Sequence, residues 1–567
     1  MSLQFITGNS GNGKTKYLFN RIVKEAKANP RDNYLVIVPE QFTMQTQRQL
    51  VDLSENKAIM NIDVLSFKRL AYRVFDELGI TNLTVLEETG KNLVLRKLAA
   101  QEADKLGVIG RNLNRIGYIS EVKSLLSELV QYNISPEELG RYIASGMLSD
   151  TLSDKLKDVL VLYEAFEKFM QDKYITAEEI LNVLSNVAEE SAILRNSVIA
   201  FDEFTGFTPI QNQLIKKLFV ISKKIYVTLT IDCREDIFKS RGMQELFDMP
   251  KRTVKSLTEM AAFYGIEVEE PIILDKNYRL AENEELSFME QQLFRKRRGS
   301  FKKAPKHIHI DCLRDPKQEL TKIARRINEL VRNENLRYRD IAIVTGDVNI
   351  YAGYVREIFD KYNIPYFIDA TQEILFHPFI EFIRSIPDIA AQNFSADAVF
   401  RFLRCGFSEL LDSEIDVLEN YVLACGVRGK SAWDKKWVRL PKHKAGYDLE
   451  LLNKSREYIM ELLKPVYQVF SDKKSTVKDY VLAIYKLIVL LDIPDKLAKK
   501  EQALLDAGDQ TASKEYGQIY KIVMQLFEKY VAVLGDECMD TDTGCRTGCG
   551  RCSSHTAGIR HCDHRRY

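Results

Sequence analysis

The chain lacks several features that mark membrane-bound or strongly charged proteins. It has no apolar run near the roughly 18 residues that a membrane-spanning helix needs. It also begins with a strand-like stretch instead of a charged and then apolar leader. Both absences predict a cytoplasmic protein with no membrane partner. Lys and Arg total 81 against 80 for Asp and Glu, so any affinity for nucleic acid must come from a local groove rather than from net charge.

Cysteine is scarce in the body of the chain and crowded at its end. Five of the nine cysteines lie within the last 30 residues, which contain no Lys, Leu, Val or Phe. Thiolates and imidazoles at such short spacing are ligands of zinc or cluster sites, which is one interpretation. The abrupt loss of aliphatic residues instead favours a shifted reading frame or an artificial addition after about residue 537. We therefore predict an anomalous, disordered tail over residues 538–567.

The most informative segment is residues 8–15, which match the phosphate-binding loop G-x-x-x-x-G-K-[ST] at every constrained position. A strand-like stretch precedes the loop and a helical pattern follows it, as the motif requires. Lys14 would reach the β and γ oxygens of a nucleotide, and the Thr15 hydroxyl would ligate magnesium. The alternative is a Gly-rich turn without a ligand. The predicted nucleotide-binding residues in the loop are Gly8, Gly11, Gly13, Lys14 and Thr15.

A second chemical signal follows the predicted buried strand at residues 198–201. An acid at the carboxyl end of such a strand lies beside the phosphate loop in parallel α/β folds. Asp202 would hold magnesium, directly or through water, and Glu203 would orient and deprotonate the attacking water. The alternative is an acidic strand end that faces solvent.

The order of apolar runs predicts parallel sheets with large helical insertions. Strand-like runs at 34–38 and 224–231 accompany the strand at 198–201. Between them, capping-box sequences at 135–138 and 176–179 mark helix starts in an insertion.

The pattern restarts after a basic, polar break near residue 297, with strands predicted at 307–312 and 341–345. From about 395 to 530 it is helical throughout, with Trp433 and Trp437 expected in the packing. The predicted domains are 1–295, a first core with an insertion at about 80–190; 296–390, the start of a second core; 391–537, a helical subdomain; and the tail at 538–567.

Several segments resemble known helicase motifs. Residues 202–211 resemble the superfamily 1 motif around D-E-F-Q-D, and Asn277-Tyr278-Arg279 resembles the N-Y-R motif, which supplies an arginine to the γ-phosphate. More specifically, segments 8–15, 38–43, 65–73 and 364–369 resemble the AddB family, the second subunits of bacterial AddAB helicase-exonucleases. The likeness runs from residue 2 to about 537, which is the N-terminal half of an AddB-length protein.

The resemblance implies a superfamily 1 helicase-like P-loop NTPase with RecA-like cores, which uses ATP and Mg²⁺. It implies an AddA-type partner in a heterodimer, duplex DNA ends as substrate, and a role in processing double-strand breaks for recombination. Lys14, Glu203 and Arg279 would be the catalytic residues, and Asp202 with Thr15 the metal ligands. The nuclease domain and its iron-sulfur cluster would belong to the half that the likeness does not cover.

The resemblance also implies that this half reads the Chi sequence as single-stranded DNA. Aromatic faces stack on bases, while Arg, Gln and Thr side chains hydrogen-bond base edges. The alternative makes Phe67 and Tyr72 core residues of an amphipathic helix. The readers carried over by position are Gln41, Thr43, Phe67, Arg69, Tyr72 and Phe204.

The sequence also lacks several motifs that active superfamily 1 motor helicases share. Only seven residues precede Gly8, which leaves no room for an adenine-reading Gln segment. The run at 226–232 lacks the G-D-x-x-Q that couples nucleotide to DNA in superfamily 1, and Thr205-Gly206 replace Gln-Asp after Phe204. We therefore expect ATP binding with little base selectivity, and slow or absent hydrolysis when the AddA-type partner is absent. An active ATP-driven translocase and a non-catalytic ATP-binding scaffold are the two alternatives.

Overall fold

The structure is a computed structural model that describes residues 1–537, except 56, 81–84, 109, 111–116, 147, 171–173, 296–298, 370–373, 441–446 and 473. The prediction for the tail at 538–567 therefore lies outside the described residues. The chain divides into two compact units. The first comprises Met1–Glu87 and Ser124–Asp311, and the second comprises Glu88–Lys123 and the residues from Cys312 onward.

The secondary structure elements follow one another in a largely helical order. In the first part of the chain they are β1 (Ser2–Gly8), α1 (Lys14–Ala28), β2 (Tyr34–Ile37), α2 (Thr43–Leu53), β3 (Ile62–Leu65), α3 (Phe67–Leu78), β4 (Val85–Leu86), α4 (Glu88–Gln101), α5 (Tyr118–Gln131), α6 (Pro136–Ala144), α7 (Asp150–Met170), β5 (Ile175–Thr176), α8 (Ile180–Val187), β6 (Val198–Phe201), α9 (Pro209–Ile221), β7 (Lys224–Thr230), α10 (Asp248–Phe263), β8 (Glu267–Val268), β9 (Ile272–Leu274) and α11 (Glu284–Gln292). The helices that follow are α12 (Pro316–Asn333), α13 (Val348–Lys361), α14 (Pro378–Ala391), α15 (Ala396–Leu403), α16 (Asp412–Cys425), α17 (Lys430–Asp434), α18 (Leu449–Ser471), α19 (Val477–Leu490), α20 (Ile493–Asp506) and α21 (Gln510–Leu534).

The first unit is built on a parallel sheet in the order β3-β2-β6-β7-β1-β8, with β9 also pairing with β1. Because side chains alternate along a strand, each strand contributes to both faces. Helices α1 and α2 cover one face, where Leu18 and Leu50 pack on Val36. Helices α3, α8, α9 and α10 cover the other, where Phe67 packs near Phe201. This arrangement confirms the prediction of an α/β fold with a parallel sheet and helical insertions.

The second unit contains one large helical core. The aromatic side chains of α14, α15 and α17 meet there, and Trp433 and Trp437 stand 5.3 Å apart between ring centroids. Both indoles are buried, which confirms the prediction that they pack this region. None of the helices in the described part of the chain has the length and apolar character needed to cross a membrane.

Two predicted strands are wrong. Segments 307–312 and 341–345 have no regular secondary structure, and their apolar side chains face outward: Ile310 is 94% exposed and Val344 is 93% exposed. A strand exists only when another strand accepts its backbone hydrogen bonds, and no described residue pairs with either segment. Instead, α12 and α13 pack on each other through a small cluster that includes Leu320 and Phe359.

Candidate nucleotide-binding site

The carboxyl ends of the parallel strands carry most of the predicted functional residues. The phosphate loop follows β1, Asp202 follows β6, and Gln41 and Phe67 lie just after β2 and β3. The strand order places β2 and β3 on the far side of β6 from β1. The predicted nucleotide-binding residues and the predicted DNA readers therefore lie at the same end of the sheet, beyond the carboxyl ends of the strands. Open parallel sheets commonly bind their ligands at this end.

The conformation of the loop explains why two of its glycines are needed. Gly11 and Gly13 have φ angles of 89° and 79°, a region that residues with a Cβ rarely adopt. At Gly11 a Cβ would also lie 2.7 Å from Asn277 Oδ1 and 2.8 Å from Arg279 Cβ. The loop is therefore closely packed against the segment that carries the N-Y-R sequence.

Several hydrogen bonds fix this contact. Asn277 Nδ2 donates to Ser10 O at 3.0 Å, and the Tyr278 backbone N–H donates to Gly11 O at 3.0 Å. The Arg279 guanidinium donates to Ser10 Oγ at 3.3 Å. Residues separated by more than 260 positions thus form one wall of the site.

Lys14 begins α1 and turns back onto its own loop. Its Nζ donates to the carbonyl oxygens of Gly8 at 3.1 Å and Asn9 at 3.0 Å. Burial lowers the pKa of Lys14, the negative charges of Glu203 and Asp202 oppose that shift, and the nearby Arg279 charge adds to it. These effects identify Lys14, Asp202, Glu203 and Arg279 as electrostatic neighbours.

Asp202 is a buried carboxylate suited to a cation. Its side chain lies in the core and Oδ1 accepts a hydrogen bond from the Thr228 hydroxyl. Oδ2 accepts none within the part of the chain that is described. Burial raises the pKa of Asp202, against the effect of the Thr228 hydrogen bond. A divalent cation would compensate the buried charge, so the donor set of Asp202 and Thr15 fits Mg²⁺.

Glu203 has an unusual backbone. Its φ angle is 63°, a left-handed conformation that costs about 1 kcal/mol or more for a residue with a side chain. The carboxylate is exposed and Oε1 accepts a hydrogen bond from Thr15 Oγ1 at 3.3 Å. The sequence contains no signal for this backbone conformation. The conformation turns the Glu203 side chain toward the phosphate loop, while the Asp202 side chain stays buried.

The predicted DNA readers differ in accessibility. Gln41, Arg69 and Tyr72 are exposed, and Phe204 is half-buried. Thr43 and Phe67 are buried, with 3% and 7% of their surface accessible.

The Phe67 ring packs against other aromatic rings rather than toward solvent. It lies 5.6 Å from Phe204 and 5.8 Å from Phe201 between centroids. In this structure Phe67 therefore occupies the core position that the alternative interpretation gave it, while Tyr72, 39% exposed, is accessible on the same helix.

One aromatic residue beside the loop was not singled out from the sequence. Tyr278 is 66% exposed, and a Cβ on Gly13 would lie 3.5 Å from its ring carbon Cδ2. The signal was present, since Tyr278 is the central residue of the N-Y-R sequence. Its ring is largely exposed beside the phosphate loop, with Lys276 Nζ 5.1 Å from the ring centre.

The parallel sheet and the phosphate-loop sequence at the end of β1 are those of the P-loop folds of the α/β class. A family model described as ADDB, N-terminal, matches residues 5–290. The chain therefore belongs to the AddB family, as its motifs predict.

Curated relatives carry a consistent description, each being named as a subunit of an ATP-dependent helicase/deoxyribonuclease. The relative from Lachnoclostridium phytofermentans is 38% identical over 547 residues, which is 95% of this chain and 47% of the relative. Relatives from Clostridium acetobutylicum and Clostridium novyi, which carry the same name, are 32% and 31% identical, again over 95% of this chain and 47% of each relative. The chain thus spans about half the length of the curated relatives it matches.

Proposed function

We propose that this chain is the helicase-like subunit of an ATP-dependent DNA helicase/exonuclease that processes double-strand DNA ends for recombinational repair. Its partner would be an AddA-type subunit, and its place of action the cytoplasm. The observation that carries the proposal is the complete phosphate loop with Lys14, Asp202 and Arg279 around it, in a chain whose relatives are named as helicase/deoxyribonuclease subunits. The nuclease and its iron-sulfur cluster would belong to the part of the relatives' length that this chain does not span.

The chemistry of the site supports binding of a nucleoside triphosphate. Lys14 would exchange its two carbonyl partners for phosphate oxygens, and the exposed Arg279 would contact the γ-phosphate. Thr15 and the free oxygen of Asp202 would hold Mg²⁺, which supplies charge neutralisation on the phosphates. Glu203, which accepts a hydrogen bond from the Thr15 hydroxyl, would orient a water molecule.

The structure also supports the expectation of slow hydrolysis. The acid after β7, Asp232, is buried and accepts hydrogen bonds from Arg234 at 2.8 Å and Arg295 at 3.0 Å. It is therefore engaged within the protein rather than presented to a phosphate. Together with Thr205-Gly206 after Phe204, this favours a nucleotide binder with weak turnover over a strong motor.

An ATP-driven single-strand translocase is the second candidate. It is favoured by the contact of Glu203 with Thr15 and by the position of Arg279, because both groups needed for hydrolysis are present. The two candidates differ in turnover: robust DNA-stimulated hydrolysis by the isolated chain, abolished by Lys14→Ala, would favour the translocase.

Single-stranded DNA would cross the sheet edge formed after β2, β3 and β6. Arg69 and Gln41 could hydrogen-bond bases, and the Tyr72 face could stack on one. The half-buried Phe204 would lie beneath this surface and pack against the buried Phe67.

The test of DNA reading compares sequences rather than bare affinity. Selection from a random single-stranded pool, with the AddA-type partner present, would identify the preferred sequence, and filter binding would compare it with a scrambled one. We expect Arg69→Ala to reduce the preference about fivefold or more, as loss of one base contact does. Arg31→Ala is the matched control, because Arg31 is exposed at the opposite edge of the sheet, before β2 begins. Equal affinity of the unsubstituted protein for both sequences would contradict sequence reading.

A further inference from the structure

A buried polar network connects the phosphate loop to α11. Asn9 is the second residue of the loop and is 6% exposed. Its side-chain Oδ1 accepts a hydrogen bond from the backbone N–H of Cys233 at 3.2 Å, and its Nδ2 donates to Glu290 Oε1 at 2.9 Å. One side chain of the loop thus contacts both the segment that follows β7 and the last turn of α11.

The network continues from Glu290 to Asp232. Glu290 Oε1 lies 3.5 Å from Arg295 Nη2, and Arg295 Nε donates to Asp232 Oδ2 at 3.0 Å. The Arg295 guanidinium also lies 4.5 Å from the centre of the Phe247 ring. Burial raises the pKa of Asp232, but the hydrogen bonds from Arg234 and Arg295 outweigh burial and hold this pKa well below its usual range.

These charges cannot move independently. The side chains of Arg295 and Asp232 are 9% and 1% exposed, and separating a buried pair of opposite charges is strongly unfavourable. Glu290 and Asp232 both contact the Arg295 guanidinium, so a displacement of Glu290 is expected to alter the position of Arg295 and its ion pair with Asp232.

Nucleotide binding would act on Asn9 directly. In the present structure Lys14 Nζ donates to the backbone oxygen of Asn9. When the ammonium turns to phosphate oxygens, the Asn9 carbonyl loses this cation while the loop N–H groups become fixed on the phosphates. The residue whose backbone contact changes is the one whose side chain reaches Glu290.

We propose that Asn9, Glu290, Arg295 and Asp232 form a relay that transmits nucleotide occupancy from the phosphate loop to α11. The proposal rests on the proposed function, because it requires a nucleotide in the loop. The relay would give β7 a nucleotide-sensing role through an ion pair, although the chain lacks G-D-x-x-Q. The four residues are positioning residues, and none of them contacts the reacting atoms.

Hydrogen exchange by mass spectrometry on the 567-residue chain tests the relay, with and without a non-hydrolysable magnesium-ATP analogue. We expect the analogue to slow exchange both in the loop, residues 8–15, and in α11, the latter about fivefold or more, the lower end of typical coupling between sites. In Glu290→Ala the loop should still be protected while exchange in α11 no longer responds. Glu282→Ala, an exposed acid just before α11, is the matched control and should behave like the unsubstituted chain.

The possible failures are distinguishable. If the analogue protects neither the loop nor α11, the proposed function itself is contradicted. If it protects the loop while α11 exchanges unchanged, or if α11 responds equally in Glu290→Ala, the relay is contradicted and nucleotide binding stands. Should Glu290→Ala fail to fold, Glu290→Met keeps a similar side-chain volume while removing both the acceptor of Asn9 and the charge that Arg295 faces, and the same two readouts apply to it.

Discussion

The Thr15 hydroxyl donates a hydrogen bond to Glu203 across 3.3 Å. This contact joins the first turn of α1 to the segment that follows β6, where Glu203 comes directly after Asp202. In the proposed complex the same hydroxyl is a ligand of Mg²⁺. A hydroxyl binds a cation through an oxygen lone pair and keeps its proton, so Thr15 would hold Mg²⁺ and still donate to Glu203.

Removal of this hydroxyl should weaken the response to Mg²⁺. Thr15→Val keeps nearly the same volume, and we expect its affinity for ATP with Mg²⁺ to fall about tenfold, the size of one lost contact to a charged group. Affinity for ATP in EDTA should change little. Thr15→Ser retains the oxygen and serves as the control in the same calorimetric titrations. An unchanged Mg²⁺ dependence in Thr15→Val would show that Thr15 is not a metal ligand.

The exposed ring of Tyr278 should contribute to binding of the base rather than of the phosphates. It stands beside Gly13 and is 66% exposed, and stacking on an aromatic ring is worth roughly 1–3 kcal/mol per base. Tyr278→Ala should therefore lower ATP affinity about fivefold or more and leave inorganic triphosphate affinity nearly unchanged. Tyr278→Phe is the control. Because stacking tolerates every base, GTP should behave like ATP, and equal loss for ATP and triphosphate would refute a role in base binding.

The buried position of Phe67 predicts a large effect on stability. Phe67→Ala should lower the free energy of unfolding by about 3–5 kcal/mol, because it leaves a cavity against Phe201 and Phe204. Tyr72→Ala, on the exposed side of the same helix, should cost less than about 1 kcal/mol. Urea unfolding of the two variants measures both values. Similar small losses would mean that Phe67 is not a core residue.

Much of the site was predictable because its signals are local. The phosphate loop occupies eight consecutive residues, and Asp202 directly follows an apolar strand, so neither depends on distant pairing. The capping sequences are local in the same way, and Glu138 N–H bonds to Ser135 and Glu179 N–H to Thr176 as expected. Only the first marks a helix start, because α6 begins at Pro136 whereas a turn over 177–179 separates Thr176 from α8, which begins at Ile180.

Features that depend on distant partners could not be predicted. Segments 307–312 and 341–345 have the composition of strands, but pairing decides whether a strand forms, and no described neighbour provides it. The contact of Asn9 with Glu290 joins two ordinary polar residues 281 positions apart. For Phe67, helical periodicity alone left both a core and a DNA-stacking role open, and only the packing places its ring among Phe201, Phe204 and Phe207.

A buried histidine in the second unit should make stability depend on pH. His377 precedes α14 and its Nδ1 accepts a hydrogen bond from the Phe379 backbone N–H at 3.1 Å. Burial lowers the pKa of His377 to about 4 from its ordinary 6.5. The unfolded chain therefore binds a proton first as pH falls, and stability is lost between about pH 6.5 and 4, by up to about 3 kcal/mol.

His377→Asn isolates this contribution, because Asn also caps a helix but does not titrate. We expect urea unfolding to show a smaller loss of stability for the variant than for the unsubstituted chain between pH 6.5 and 4.5. The carboxylates titrate in both proteins, so the difference between them reports on His377. Parallel pH profiles would contradict a buried neutral imidazole.

The central claim is that the loop at residues 8–15 binds a magnesium-nucleotide, and isothermal titration calorimetry of Mg-ATP into the folded 567-residue chain tests it most directly. The account predicts one binding site per chain, at least about tenfold weaker in Lys14→Ala because a charged contact to phosphate is lost. Lys16→Ala, which removes an exposed charge two residues further along α1, should bind as the unsubstituted chain does. Absence of binding heat, or equal affinity in Lys14→Ala, would contradict the account.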